Sequence, residues 1–247
     1  MLKNDWNKLD PSERIIIALD CEADKALSIA YELKGRAKWV KVGMTLYYAF
    51  GPELVKILKQ SGYNVFLDLK FYDIPHQVEG AARSASLSGA DMLTMHASGG
   101  ADMMRAALKG IEQAQEIEKG ANPLTLGITV LTSMNDEVLS DIGVSRNMED
   151  QVLHLAKSAQ ASGLSGVVSS PQEAEMLRVN LGDSALIVTP GVRPAGSDVG
   201  DQSRVATPVN ALKWGASYIV VGRPITGADD PAKAFDSIAE SIEQELY

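Results

Sequence analysis

One short segment holds the residues best suited to chemistry. Residues 65–71 alternate between apolar side chains and a second set that includes Asp68 and Lys70. This period of two predicts a β-strand with one apolar face and one face that becomes charged toward its C-terminal end. Asp73 follows just beyond the strand, and Lys41 lies in an earlier strand-like segment. A fixed ammonium group can stabilise developing negative charge and donate a proton, so these residues are candidates for catalysis. From this motif alone, the alternative is a cluster of surface salt bridges.

Two segments late in the chain are candidates for binding a phosphate group. After the last predicted strand, Gly222 lets an anion approach the backbone, and Arg223 can add charge-assisted hydrogen bonds at the start of a helix. The irregular segment 190–202 contains Arg193 and Gln202, which could reach a phosphate or a ring oxygen, and this loop could close over the site. The alternatives are an arginine that caps a helix and an ordinary exposed loop.

Other polar residues near predicted strand ends have weaker signals. Asp20 could accept hydrogen bonds from a ribose hydroxyl, and Thr132 could contact the polar edge of a ring. Taken alone, each is more often structural than functional. We interpret His96 as structural and Cys21 as a packing residue. The histidine spacing does not match a zinc site, and no glycine-rich dinucleotide motif follows a strand.

The elements that must position these residues alternate between strand and helix about eight times. The predicted strands cover residues 14–20, 37–43, 64–70, 90–96, 124–131, 166–170, 185–192 and 218–222, and the predicted helices cover residues 23–35, 52–62, 78–89, 101–119, 149–163, 171–181, 203–215 and 231–246. Because each crossover between parallel strands needs a connecting helix, the pattern predicts a parallel sheet. With 247 residues, we expect an α/β protein that forms one (β/α)₈ TIM barrel, a single domain over residues 1–247. An open doubly wound sheet is the alternative.

The barrel would bring the polar strand ends to one rim, where barrel enzymes carry their active sites. These residues are Asp20, Lys41, Asp68, Lys70, His96, Thr132, Arg193 and Arg223. So many polar endings on one rim favour a catalytic site over packing.

Composition excludes several classes of function. A net charge of −9 argues against a nucleic-acid or anionic membrane partner, although a small phosphate needs only a few local donors. A single cysteine rules out an internal disulfide framework and a cysteine-built metal site. Since the N-terminal residues lack the apolar stretch of a signal peptide and no run reaches about 18 apolar residues, we expect a soluble cytoplasmic protein.

Several segments, taken in order, closely resemble orotidine 5′-phosphate decarboxylase of the bacterial type. The central motif is D-x-K-x-x-D-I-P. The segments that carry the resemblance are residues 18–20, 41–43, 68–75, 96–99, 131–133, 190–193 and 221–224. The resemblance implies a homodimeric barrel enzyme of de novo pyrimidine biosynthesis, which converts orotidine monophosphate to UMP and CO₂ without a metal or organic cofactor.

The resemblance also implies roles for individual residues. Lys41, Asp68, Lys70 and Asp73 would form a charged tetrad, with Asp73 reaching into the partner subunit's site. The implied substrate-binding residues are Asp20 at the ribose, Thr132 at the pyrimidine, Gln202, Gly222 and Arg223 at the phosphate with Arg193 nearby, and also Lys41, Ile74, Gln77 and Pro190. The chain departs from the family at Gln77, where a threonine is usual and would contact ribose across the dimer.

Two rival functions remain open from the sequence. A related barrel decarboxylase acts on a sugar-acid phosphate with magnesium and also uses a D-x-K-x-x-D strand. The Ile74–Pro75 dipeptide and the long loop after strand seven favour the nucleotide enzyme. The other rival is a non-catalytic nucleotide-binding barrel, and the complete set of lysines and aspartates argues against it.

Overall fold

The strands close into a barrel, as predicted. A computed structural model describes residues 6–194 and 206–246, with the side chain of Asn7 outside the description. All eight strands run parallel in chain order, and β1 pairs with β8 through Ile16 and Val220. This closure contradicts the open-sheet alternative.

The eight strands each correspond to one predicted strand. They are β1 (Ile15–Ala18), β2 (Trp39–Gly43), β3 (Asn64–Phe71), β4 (Met92–His96), β5 (Leu124–Ile128), β6 (Gly166–Val168), β7 (Leu186–Thr189) and β8 (Tyr218–Val221). Strands β5 and β7 end three residues earlier than predicted. The apolar run continues past the ladder in both, because residues such as Val130 and Val192 are buried in the loops that follow.

The helices cover the outside of the barrel. They are α1 (Ala23–Glu32), α2 (Met44–Phe50), α3 (Pro52–Gln60), α4 (Pro75–Leu87), α5 (Gly100–Ile117), α6 (Asp136–Asp141), α7 (Met148–Ala161), α8 (Ala174–Leu181), α9 (Pro208–Lys213), α10 (Arg223–Thr226) and α11 (Pro231–Leu246), with 3-10 turns at Trp6–Lys8, Pro11–Arg14, Ala97–Gly99 and Pro171–Glu173. Helices α2 and α6 were not predicted, since seven and six residues are too few to establish a helical period. The helix start expected at Arg223 is that of α10. None of the described helices is both long and apolar enough to cross a bilayer.

The N-terminal end of the barrel is closed by stacked side chains. The Trp6 ring packs against the apolar barrel interior, and the guanidinium carbons of Arg14 and Arg178 lie 5.2 and 4.5 Å from its centroid. Arg14 is buried and donates to the carbonyl oxygens of Ala216 and Ser217 at 2.7 and 3.1 Å. These contacts lie at the end of the barrel opposite to the rim that carries the polar strand ends.

The helix after β3 is held tightly against its neighbour. Gly110 of α5 makes this possible, because a Cβ at this position would lie 2.1 Å from the carbonyl oxygen of Glu79 in α4. Lys109 and Gln113 then donate to the Glu79 carboxylate at 3.1 and 2.7 Å. The contact fixes α4, and therefore the segment that connects it to the charged end of β3.

Candidate active site

A cavity of about 510 Å³ opens at the C-terminal ends of the strands. Nine of the sequence-predicted site residues line it: Asp20, Lys41, Asp68, Lys70, Thr132, Pro190, Arg193, Gly222 and Arg223. They come from the ends of β1, β2, β3, β7 and β8 and from the loop after β5. Seven of the eight polar residues predicted at the common rim therefore line the cavity, all except His96, while their individual roles remain predictions.

Four charged side chains form a continuous chain of contacts across the cavity. Lys70 Nζ lies 2.7 Å from Asp68 Oδ2, and Lys41 Nζ lies 3.9 Å from the same oxygen. Lys41 Nζ also donates to Asp20 Oδ1 at 2.8 Å. Lys41 and Asp68 are each only 8% exposed, so the surface salt-bridge interpretation is wrong for this pair.

The Asp68 carboxyl is held in its ionised form. Burial raises its pKa, but the ammonium groups of Lys41 and Lys70 and hydrogen bonds from Lys70 and Thr94 lower it by more. The net result is a pKa below the ordinary value. The cavity therefore keeps a buried negative charge beside two ammonium groups.

Gly43 leaves room for the first of these ion pairs. A Cβ at this position would lie 3.0 Å from Asp20 Oδ1 and 3.3 Å from Lys41 Nζ. Because the side chains of Asp20 and Lys41 meet over this glycine, a larger residue would push one of them aside. Its place in the site was not predicted from the residue type.

The pairing of β3 with β4 is irregular at the charged residues. The register runs Leu67 opposite Leu93 and then Phe71 opposite Met95. Within this irregularity Lys70 has a φ of 53°. It is the only non-glycine residue with a positive φ in the described part of the chain. A left-handed non-glycine residue costs about 1–3 kcal/mol, and such strain is concentrated at functional sites. The alternation that predicted the faces of β3 is confirmed, because Phe66, Asp68 and Lys70 line the cavity, but it gave no sign of the irregularity.

Thr94 of β4 lies under the charged pair and was not predicted. Its Oγ1 donates to Asp68 Oδ1 at 2.8 Å and accepts a hydrogen bond from the backbone N–H of Lys70 at 2.9 Å. In the sequence Thr94 looks like an ordinary β-branched strand residue. The signal that could have revealed it is a hydroxyl two residues before His96, on the same side of the strand.

The segment after β3 is exposed and does not line this chain's own cavity. Residues 72–77 are all exposed, and Tyr72 and Ile74 are each 63% exposed despite their apolar character. The Asp73 carboxylate accepts a hydrogen bond from its neighbour, the N–H of Ile74, at 2.6 Å. The structure therefore does not bring Asp73, Ile74 or Gln77 into the cavity of the described chain.

The opposite side of the cavity contains the two arginines proposed to bind an anion. Arg223 is exposed in the first turn of α10, directly after Gly222. Arg193 is half-buried and donates to the carbonyl oxygen of Val192 at 3.0 Å. Gln202 lies outside the described residues.

His96 and Cys21 stand beside the site without lining the cavity. The His96 ring meets Tyr72 edge-on, with centroids 5.4 Å apart. Burial and the nearby Lys70 ammonium lower the pKa of His96, against an opposing effect of Asp68. Cys21 packs against the apolar layer between strands and helices, as predicted, and burial raises the pKa of its thiol.

The remaining cavity wall is apolar except for Ser169 and Thr226. Ile128 and Val168 line it from the ends of β5 and β6, and Val130 lines it from the loop after β5. Ser169 and Thr226 are both buried. Apolar residues next to fixed charges lower the local dielectric constant and strengthen their effect on a bound molecule. These residues were missed because apolar strand ends look like ordinary core.

Comparison with known proteins agrees with this geometry. Residues 13–238 match the sequence model of the orotidine 5′-phosphate decarboxylase / HUMPS family. The chain is 47% identical over 230 residues to an orotidine 5′-phosphate decarboxylase of Idiomarina loihiensis, covering 93% of this chain and 97% of the relative. It is 50% identical over 229 residues to the protein of the same name from Cutibacterium acnes, covering 92% and 95% of the two chains.

A solved structure also resembles the barrel. The crystal structure of orotidine 5′-phosphate decarboxylase from Lactobacillus acidophilus superimposes with a TM-score of 0.83 at 40% identity. The match covers 93% of this chain and 99% of that one. Both sequence and fold therefore agree over nearly the whole chain.

Proposed function

The chain belongs to the orotidine 5′-phosphate decarboxylase / HUMPS family, and we propose that it converts orotidine 5′-phosphate to UMP and CO₂ in pyrimidine biosynthesis. The observation that carries the proposal is the contact chain Asp20–Lys41–Asp68–Lys70 at the mouth of the barrel. It shares one cavity with Arg193 and Arg223. A volume of about 510 Å³ is within the usual range for small-molecule sites, roughly 300–1,000 Å³.

Lys70 has the central role in the proposed chemistry. The bond from C6 of the pyrimidine to the carboxylate breaks, its electron pair stays on C6, and neutral CO₂ leaves. Because that pair lies in the plane of the ring, the π system cannot delocalise it. The Lys70 ammonium stabilises the negative charge and then gives C6 a proton, which leaves a neutral amine. In this mechanism the protein supplies the electrostatic stabilisation itself, so it requires no metal or organic cofactor.

Asp68 acts mainly on Lys70. At 2.7 Å from Lys70 Nζ, its carboxylate pairs with the ammonium and aims it into the cavity. It also faces the substrate carboxylate, and the repulsion between the two is relieved when CO₂ forms. We rank this relief below stabilisation of the transition state, because positioning of Lys70 requires no strain in the substrate.

The other cavity residues hold the rest of the nucleotide. Asp20 accepts hydrogen bonds from the ribose, and Thr132 contacts the polar edge of the pyrimidine. Gln202, Gly222 and Arg223 act on the phosphate, Arg193 contributes nearby, and Pro190 lines the cavity wall. Phosphate binding occurs away from the bond that breaks, so its binding energy serves to orient the substrate and close the site.

Asp73, Ile74 and Gln77 complete the site of a second subunit in a homodimer. Support comes from the exposed segment 72–77, in which Tyr72 and Ile74 present apolar side chains on either side of Asp73. Exposed apolar side chains beside a functional group are typical of an interface. In this arrangement each site consists of Lys41, Asp68 and Lys70 from one chain and Asp73 from the other.

A spectrophotometric assay tests the function directly. We expect the purified chain to consume orotidine monophosphate, followed by its loss of absorbance, at the same rate with and without EDTA. Loss of activity with EDTA would favour the magnesium-dependent sugar-acid decarboxylase. Nucleotide binding without turnover would favour the non-catalytic barrel. Either result contradicts the proposal.

Arg223→Ala is expected to weaken the binding of ligands that carry a phosphate, without weakening the binding of ligands that lack one. Losing a charge-assisted hydrogen-bonding group typically lowers affinity by about 10- to 100-fold, and we expect KM for orotidine monophosphate to rise by that factor. Turnover of phosphate-free orotidine, measured as kcat/KM, should stay near the wild-type value. The matched control is Arg105→Ala, which removes an exposed arginine from α5, outside the cavity. Equal weakening toward both substrates would contradict a phosphate role for Arg223.

A further inference from the structure

We propose that Thr94 is a positioning residue, whose hydroxyl fixes Asp68 and the backbone of Lys70 relative to one another. The inference rests on the proposed function and adds to it a residue that does not touch the substrate. Thr94 is fully buried in β4 and does not line the cavity. It acts through the two residues above it.

The strand register shows why a side chain is needed here. Between the pairs Leu67–Leu93 and Phe71–Met95, β3 has three residues where β4 has one. The three are Asp68, Leu69 and Lys70, and the single residue opposite them is Thr94. Regular ladder hydrogen bonds cannot form along these residues, because three residues of one strand cannot pair one to one with a single residue of the other. The Lys70 N–H bonds instead to the Thr94 hydroxyl at 2.9 Å.

The hydrogen bonds of the hydroxyl give it a defined orientation. A threonine hydroxyl has one proton to donate and lone pairs to accept. Thr94 donates its proton to Asp68 Oδ1 at 2.8 Å, so the oxygen is free to accept from Lys70 N–H. Asp68 Oδ2 meanwhile faces Lys70 Nζ at 2.7 Å. The Thr94 hydroxyl thus links the backbone N–H of Lys70 to the Asp68 carboxylate, and the Lys70 ammonium contacts that same carboxylate.

This closed arrangement explains how Lys70 keeps its left-handed backbone. A φ of 53° is unfavourable for lysine and persists only when surrounding contacts determine it. The backbone conformation sets where the side chain leaves the strand, and so where Nζ stands over the substrate. Misplacing a catalytic group by about 1 Å is enough to lower a rate by around 10²-fold.

The test replaces Thr94 with residues that separate its hydroxyl from its shape. In Thr94→Val the hydroxyl is lost at nearly constant volume, and we expect kcat for orotidine monophosphate to fall by about 10- to 100-fold. KM and the inhibition constant of UMP should stay within about threefold, since the phosphate and ribose contacts are untouched. Thr94→Ser keeps the hydroxyl and should retain most of the wild-type kcat. A merely structural role would not produce this split or this rescue.

The matched control is Thr125→Val on the adjacent strand β5. Thr125 is 2% exposed, and its hydroxyl contacts Ser165 instead of the charged cluster. This variant should keep the wild-type kcat even if its melting temperature falls. If Thr94→Val does not fold, Thr94→Cys, with its weaker donor and acceptor, is compared with Thr94→Ser in the same way.

The outcomes separate this inference from the proposed function. If the wild-type chain turns over substrate and the kcat of Thr94→Val or Thr94→Cys lies within about twofold of the wild-type value, the role of Thr94 is overturned and the proposed function stands. A loss in Thr94→Ser as large as in Thr94→Val also overturns it. No turnover by the wild-type chain overturns both proposals.

Discussion

Lys70→Ala is expected to lower kcat for orotidine monophosphate by roughly 10⁴-fold or more, because the ammonium both stabilises the carbanion and supplies its proton. General acid catalysis typically contributes about 10²–10⁴-fold and a positioned charge about 10²–10³-fold. At an effective dielectric constant near 20, opposite charges about 4 Å apart gain roughly 4 kcal/mol, which is the scale of the electrostatic part. The measurement is single-turnover decarboxylation, together with the inhibition constant of UMP, which should change little.

Lys59→Ala provides a matched control for this variant. Both lysines have an aspartate oxygen at 2.7 Å, and their side chains are 28% exposed for Lys70 and 32% for Lys59. The Lys59 partner is Asp91, which precedes β4 and so lies at the other end of the barrel from the cavity. Lys59→Ala should therefore lose some stability and keep its kcat. Near-normal turnover by Lys70→Ala in a preparation free of host enzyme would refute the assigned role.

The sequence was sufficient to place the charged side chains on one rim. Period-two alternation put Asp68 and Lys70 on the same face of β3, and the repeated strand–helix pattern required parallel strands whose C-terminal ends meet. These two rules depend only on side-chain direction and chain connectivity, and both can be read from residue order. The phosphate-binding candidates Gly222 and Arg223 followed in the same way from their place after the last strand.

The irregularity at Lys70 could not be predicted from the sequence. It depends on the register between β3 and β4, and alternation within one strand contains no information about how its neighbour is paired. Lysine gives no sign of a positive φ, which is more typical of glycine or asparagine. For the same reason the sequence offered only a weak signal for Thr94, its hydroxyl two residues before His96, because the importance of Thr94 comes from the residues opposite it across the strands.

The placement of Asp73 likewise does not follow from its spacing, although the family resemblance implied it. The spacing D-x-K-x-x-D suggests three charged groups at one site, yet the strand ends at Phe71 and the next six residues are exposed. Asp73 therefore lies on the outside of the chain that supplies Asp68 and Lys70, and its proposed role depends on a second subunit. That dependence leads to a test in which two inactive chains are combined.

Mixing Lys70→Ala chains with Asp73→Ala chains is expected to restore activity from two nearly inactive preparations. In a mixed dimer, the site built on the Asp73→Ala chain has an intact Lys70 and receives Asp73 from the other chain. The second site of that dimer lacks both groups. Random pairing makes half of the dimers mixed, so about a quarter of all sites should be complete. Decarboxylation is measured after subunit exchange has been verified by mass spectrometry of differently tagged chains.

The control mixture combines Lys70→Ala with Asp68→Ala. Asp68 and Lys70 contact each other within one chain at 2.7 Å, so no mixed dimer of these variants contains a complete site. This mixture should stay inactive at the same degree of exchange. The difference in activity between the two mixtures then reports whether Asp73 is shared between subunits. Dimer formation itself is the same in both mixtures and does not contribute to the difference. Equal inactivity of both mixtures would mean that Asp73 serves its own chain or neither, and the shared site would have to be abandoned while the role of Lys70 stands.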